Sequence, residues 1–440
     1  MKTISNLLMT ISLCASTFVF FACTNDDEPQ LPEPDVVEEE VVPAEEPEVE
    51  EPQSRGAVPI NFAGNERAIN NRLNDFAWRL FSEAYAQKKA KDNILLSPLS
   101  LEIALGMFQN GLVPEDQQKM LKTMGLEGYT VEDVNAYFKR MVEGIIEADD
   151  LATLEIANAL WYKDGYKINT DFQKALEDSF DAKVQDAPFD NYTIDAINEW
   201  CAEKTHDRIT KLFESPEDVD VFALLNAVYF KAGWEIPFKK ENTEDRPFYF
   251  SDGTTENIPM MLKHPERENI SDSFNYIKND NFQALALPFI NKAFMWFAIL
   301  PSENKSIAET LPQIKAETLD ALAKSKNRLM QIIIPKYEIN YSVNNLVKII
   351  DALNPDLHFK KLYFQSAFET LLPDDLEITA LQKTFFLINE EGAEAAAVTG
   401  VSAVSSVPPS LTFDRPFIYG IMETSSSCPL FIGYFGDNPK

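Results

Sequence analysis

The chain has little from which to build an active site. Its three histidines, His206, His264 and His358, show no metal-ligand spacing and fall on no helix with paired ligands. Four cysteines, Cys14, Cys23, Cys201 and Cys428, are too few and too scattered for a disulfide framework or a zinc site. Cys201 and Cys428 read as small buried hydrophobes rather than as a pair. There is no glycine-rich phosphate loop, and Ser402, in Gly-Val-Ser-Ala-Val, lacks the second glycine of a nucleophile elbow. Positive charge is scarce too: 39 Lys and Arg stand against 70 Asp and Glu, a net charge of -31, without a basic stripe. Phosphate binding needs clustered cations, so nucleic acid and anionic membrane surfaces are excluded as partners. No enzyme, metal or cofactor chemistry is expected.

What is present begins with an address. Lys2, the apolar run 4–21 and the small residue Ala22 lead directly to Cys23, with a switch to polar residues behind it. This resembles a lipoprotein signal peptide, with 1–22 removed and Cys23 carrying the lipid. The immediate polar switch argues against a membrane-spanning helix. Residues 23–56 then interleave Pro29, Pro32, Pro34, Pro43, Pro47 and Pro52 with acids. Such a segment cannot bury a core; it is a stiff, self-repelling tether with a reach of roughly 100 Å at about 3.1 Å per residue. The acids Asp26, Asp27 and Glu28 resemble the surface-export signal of Bacteroidota lipoproteins, so the expected location is the cell envelope, on the outer membrane and facing outward.

From about residue 57 to 440 the pattern is that of one domain, and 45% hydrophobic residues suffice for a large core. Helical spacing over 74–87 places Phe76, Leu80, Phe81 and Ala84 on one face, and 99–108 follows a Ser-Pro start. Strand-like runs come later, at 154–162, 221–230, 293–300, 331–339 and 384–389. Early helices followed by many strands predict an α+β fold.

Several segments then match one family in order: Asn93-Ile-Leu-Leu-Ser-Pro-Leu-Ser-Leu101, Ile156-Ala-Asn-Ala-Leu-Trp161, Ile197-Asn-Glu-Trp200, Leu225-Asn-Ala-Val-Tyr-Phe-Lys-Ala-Gly-Trp234, Asp414-Arg-Pro-Phe417 and Pro429-Leu-Phe-Ile-Gly433. They resemble the signatures of the serpins, inhibitors of serine proteases. The resemblance implies helices packed on three β-sheets with an exposed reactive-centre loop, a monomer that traps its protease in a covalent 1:1 complex, and no cofactor. It also implies shutter or breach roles beneath the central sheet for Ser97, Ser100, Asn198, Trp234 and Gln382, the last where the family often has histidine.

Residues 392–409 carry the expected chemistry. They are small, nearly uncharged and closed by Pro408-Pro409. Read with period two, Ala393, Ala395, Ala397, Thr399, Val401 and Ala403 form a set without charge, while the alternate set holds Glu394. That is the pattern of a loop able to become a central strand. By resemblance the hinge comprises Glu390, Glu391, Gly392, Ala393, Glu394, Ala395, Ala396, Ala397, Val398 and Thr399. Counting back from Ser-Val-Pro-Pro places the reactive bond between Ser405 and Ser406; counting forward from Gly392 places it one bond later. Either bait is small, which points to elastase-like or subtilisin-like proteases. The rival reading is a non-inhibitory serpin-fold surface binding lipoprotein; a bulky or charged inward hinge residue would support it, and none is present.

Overall fold

The computed structural model describes residues 54–263, 273–325, 327–374, 376, 380–393 and 410–438. The signal segment and nearly all of the tether lie outside them, and Gln53–Lys440 forms one compact unit. The first helix, α1 (Glu66–Ala86), starts well before its apolar stripe, and Phe76, Leu80, Phe81 and Ala84 are buried on one face as the spacing predicts. In α2 (Pro98–Gln109), Ser97 is extended and its Oγ accepts the Ser100 N–H, while Pro98 occupies the first turn, where a missing N–H costs nothing. Nearly every residue of α2 is buried, because it packs on strands from two different sheets. The other helices described are α3 (Pro114–Thr123), α4 (Val131–Glu147), α5 (Thr170–Phe180), α6 (Asn191–Lys204), α7 (Ile307–Thr310), α8 (Ala316–Ala323) and α9 (Leu346–Leu353). A reciprocal Thr130–Asp133 box opens α4, and Asp190 caps α6 through the Thr193 N–H.

The α+β arrangement of helices on sheets is the one expected. One sheet has seven strands in the order β1 (Ile94–Leu96), β17 (Pro429–Phe435), β16 (Phe417–Glu423), β9 (Phe294–Pro301), β8 (Phe282–Pro288), β7 (Ser273–Lys278) and β10 (Asn327–Leu329). A second runs β15 (Ser410–Thr412), β11 (Gln331–Pro335), β6 (Thr255–Lys263) and β5 (Glu244–Tyr249). Two further ladders stand apart from these among the described residues. One is β14 (Gly392–Ala393), β4 (Phe222–Gly233), β2 (Thr153–Lys163) and β3 (Ala182–Ala187); the other pairs β12 (Tyr337–Val343) with β13 (Gln382–Ile388).

The run 331–339, read as one strand, is therefore two strands in different sheets. Pro335 cannot donate to a ladder, and the Lys336 N–H turns aside to the Pro259 carbonyl. Strand β4 alternates in burial. Its residues Phe222, Leu224, Val228, Phe230 and Ala232 pack on the main core, whereas Ala223 and Leu225 pack with Ile197 of α6. That parity decides which side chains of any neighbouring strand are buried.

Candidate functional site

Strand β13 stops at Ile388, one residue short of the expected run 384–389, and Asn389 opens a turn. Asn389 Oδ1 accepts the N–H groups of Glu391 at 2.9 Å and Gly392 at 3.1 Å, and the Asn389 N–H reaches the Gly392 carbonyl at 3.2 Å. Gly392 sits at φ +136°, and a Cβ there would lie 2.3 Å from the Ala232 carbonyl oxygen, so only glycine fits. The chain reverses and starts back along β4: Gly392 pairs with Gly233 and Ala393 with Ala232, antiparallel. Ala393 and Ala232 both join the main core.

Side chains clamp this turn from below and from both sides. Trp234 lies beneath it, its N–H bonded to the Glu391 carbonyl at 3.0 Å, its Nε1 donating to the Asn389 carbonyl at 2.9 Å and its ring stacked on Phe289. Glu390, only 4% exposed, receives Lys336 Nζ at 2.9 Å and the Thr243 hydroxyl at 2.8 Å. Burial pushes its carboxyl up, but the hydrogen bonds from Lys336, its own backbone and Thr243 prevail and hold it below the ordinary carboxylate value. Glu391 is paired with Lys240 at 2.5 Å.

Beyond Ala393 the space between β4 and β13 is a slot. Among the described residues the two strands share no ladder. Three cavities follow one another down it. The first, about 30 Å³, lies between Tyr229 and Phe386; the second, about 90 Å³, between Asn226 and Thr384; the last, about 390 Å³, at the base beside Phe222 and Leu381. In the middle, Asn226 Nδ2 donates to Asn158 Oδ1 at 2.7 Å, but its own Oδ1 is buried without a partner among the described residues.

A strap of chain leaving α6 crosses the slot on its outer side. His206 reaches Glu155 of β2 at 2.9 Å and packs on Tyr229 of β4, while the Arg208 guanidinium covers the Phe385 ring of β13 at 4.8 Å. Lys383 of β13 donates to the Lys211 carbonyl at 2.6 Å.

Ser97, Ser100 and Gln382 come together behind the slot. Gln382 Nε2 donates to the Ser97 carbonyl at 2.9 Å, the Ser97 N–H returns to Gln382 Oε1 at 3.1 Å, and the Ser97 hydroxyl reaches the Leu430 carbonyl. Asn198 stands apart from that group: its Oδ1 accepts the N–H groups of Leu212 and Phe213 and its Nδ2 donates to the Phe213 carbonyl, fixing the end of the strap. The hinge positions Glu390, Glu391, Gly392 and Ala393 are described. Glu394, Ala395, Ala396, Ala397, Val398, Thr399, the Ser405–Ser406 bond and Cys23 lie outside the described residues. Cys201 and Cys428 are both free and buried, and burial pushes the Cys201 thiol up to about 11.

Asn389, Thr243, Lys240, Lys336 and Asn226 received no role from sequence. The Asn-Glu-Glu-Gly spacing is a turn signal that could have revealed the first; the others meet the hinge only through the fold.

Residues 71–437 match the family described as "Serpin (serine protease inhibitor)". Neuroserpin of Homo sapiens is 29% identical over 356 residues, covering 78% of this chain and 85% of that protein. Alpha-1-antiproteinase of Rattus norvegicus is 27% identical over 379 residues, covering 83% and 88%. Among solved structures, a thermophilic serpin, tengpin, in the native state superimposes with a TM-score of 0.75 at 26% identity, covering 88% of this chain and all of that one. A hinge that already turns back along an open central slot is thus found within a serpin fold, and the chain belongs to the serpin family of protease inhibitors, which are not enzymes.

Proposed function

We propose that this chain inhibits serine proteases by taking its cleaved loop into the slot between β4 and β13 as a new strand. One observation carries the reading: the antiparallel register that β14 has begun on β4. Continued along β4, that register sets Ala395 opposite Phe230, Ala397 opposite Val228, Thr399 opposite Asn226, Val401 opposite Leu224 and Ala403 opposite Phe222. Those β4 residues, Asn226 apart, are the ones packed on the main core, so the uncharged set of the loop goes inward. Glu394, in the other set, falls opposite the exposed Lys231. Thr399 brings a hydroxyl donor to the vacant Asn226 Oδ1. The uncharged set ends at Ala403, opposite Phe222, the first residue of β4.

The chemistry follows from that geometry. The protease serine attacks the Ser405 carbonyl, the amine of Ser406 leaves, and Ser405 remains esterified to the enzyme. Release of that bond frees residues 394–405 to zip down β4, each new backbone hydrogen bond contributing roughly 0.5–1.5 kcal/mol. The acyl-enzyme is carried with the strand toward the base of the slot before water can deacylate it. Small bait residues suit shallow specificity pockets, so the targets are elastase-like or subtilisin-like serine proteases. The address at Cys23 and the acidic tether support a location on the outer face of the envelope. Loss of the protein from the membrane fraction in Cys23→Ser tests that location.

Incubation with an elastase followed by a denaturing gel tests the inhibition. A band at the summed mass of both chains is expected. Clean cleavage without such a band, across elastases and subtilisins, favours the non-inhibitory binding lipoprotein instead.

A further inference from the structure

The base of the slot holds more room than a loop of small residues can fill. Its cavity of about 390 Å³ is walled by Leu105 and Phe108 of α2, Phe213, Phe222 and Leu224 of β4, and Phe359. Protein interiors are close-packed, with few voids larger than a water molecule, whereas pockets for small organic ligands run from about 300 to 1,000 Å³. In the register proposed above only Val401 and Ala403 come beside this space.

The rim has charge of one sign. Glu217, Asp218 and Asp220 line it, and no lysine or arginine does among the described residues. Asp218 is committed to its own turn, its Oδ2 accepting the N–H groups of Glu214 at 2.7 Å and Ser215 at 3.0 Å. Glu217, whose carboxylate also takes a hydrogen bond from Ser215, and Asp220 are exposed on this rim.

We infer that this cavity binds an amphipathic cation, an aromatic or aliphatic body with an ammonium head, the body among the phenylalanines and the head at Asp220 and Glu217. A ligand there fills the space beside Leu224 and Phe222 that the far half of the inserted loop must cross, and so diverts the chain from trapping to simple cleavage. That second consequence rests on the insertion reading; the binding does not.

Two probes with one fluorophore test the binding: dansylcadaverine, which carries an ammonium, and dansyl-aminohexanoate, which carries a carboxylate. Titrated into the full chain, the amine gives a saturable one-to-one blue shift and the acid binds about tenfold more weakly. Ala104→Trp, which fills the cavity from α2, abolishes the shift. Asp220→Lys, at an exposed position that leaves the fold intact, weakens the amine about tenfold. Equal binding of both probes, or unchanged amine binding in either variant, overturns the assignment. An elastase gel run with and without saturating amine separates the two readings. Less complex and more cleaved chain supports the coupling, and an unchanged partition with the probe bound overturns it. No complex even without probe sinks the insertion reading and leaves the cavity assignment standing.

Discussion

Strands β16 and β17 and strands β4 and β13 are built to opposite ends. Every residue of β16 and β17 is buried, and each strand has a ladder on both sides, β16 with β9 and β17, β17 with β16 and β1. Among the described residues, strand β4 has β2 along one side but only Gly392 and Ala393 on the other, and β13 has β12 alone. Unpaired strand edges invite a further strand. Here the two edges line the same cavities, and the strap leaving α6 reaches both strands. The first pair is laddered on both sides; the second has, among the described residues, edges that no ladder fills.

The largest effect should come from blocking the open region. Ala395→Arg places a charge opposite Phe230 in the core, where an uncompensated buried charge costs about 3–5 kcal/mol. The variant should be cleaved by elastase at the normal rate while the covalent band disappears from the gel; full trapping by it would refute insertion. Next comes the turn that aims the loop. Gly392→Ala must leave φ +136° or drive its Cβ into the Ala232 carbonyl, a loss of roughly 2–4 kcal/mol in urea unfolding.

The clamp on Glu390 is weaker still. Lys336→Met leaves that carboxylate buried with the Thr243 hydroxyl as its one remaining side-chain partner, costing about 2 kcal/mol at neutral pH. The pH dependence has a definite sign. Glu390 titrates below its unfolded value, so its contribution is present above about pH 4.5 and is lost as pH falls through the depressed folded value. Removing Lys336 shrinks that acid-side loss, which a pH series of unfolding midpoints will show.

The smallest effect lies on the closed side. Glu102 of α2 is 2% exposed, its Oε1 has no partner, and burial alone pushes its carboxyl well above the ordinary value. Here the sign is reversed: wild-type stability falls as pH rises from the unfolded value toward the raised folded one, then levels off. Glu102→Gln cannot ionise, so it should be more stable than wild type by about 1 kcal/mol at alkaline pH and show no such fall.

The same contrast governs what the sequence made legible. Runs of apolar and β-branched residues announced β2, β4 and β9 because those strands bury their own side chains, and Ser97-Pro98 announced α2 because capping is local. Ala393, first of the alternating set, is buried on the main core as its parity implies, and its successors lie outside the described residues. Which face of β4 meets the core was not legible, because it depends on α6 packing over Ala223 and Leu225. Asn198 was read with Ser97 and Gln382, yet it fixes the strap, since hydrogen-bond partners follow tertiary proximity rather than residue type. The clamp of Lys336, Thr243 and Lys240 on the hinge, distant in sequence, was invisible for that reason.

Hydrogen exchange of β4 and β13, before and after complete cleavage of the loop by an elastase, tests the central claim most directly. If the loop becomes the strand between them, amides of residues 222–231 and 382–388 that exchange readily in the intact chain become strongly protected, while β16 and β17 stay as they were. Unchanged exchange in β4 and β13 after full cleavage would contradict it.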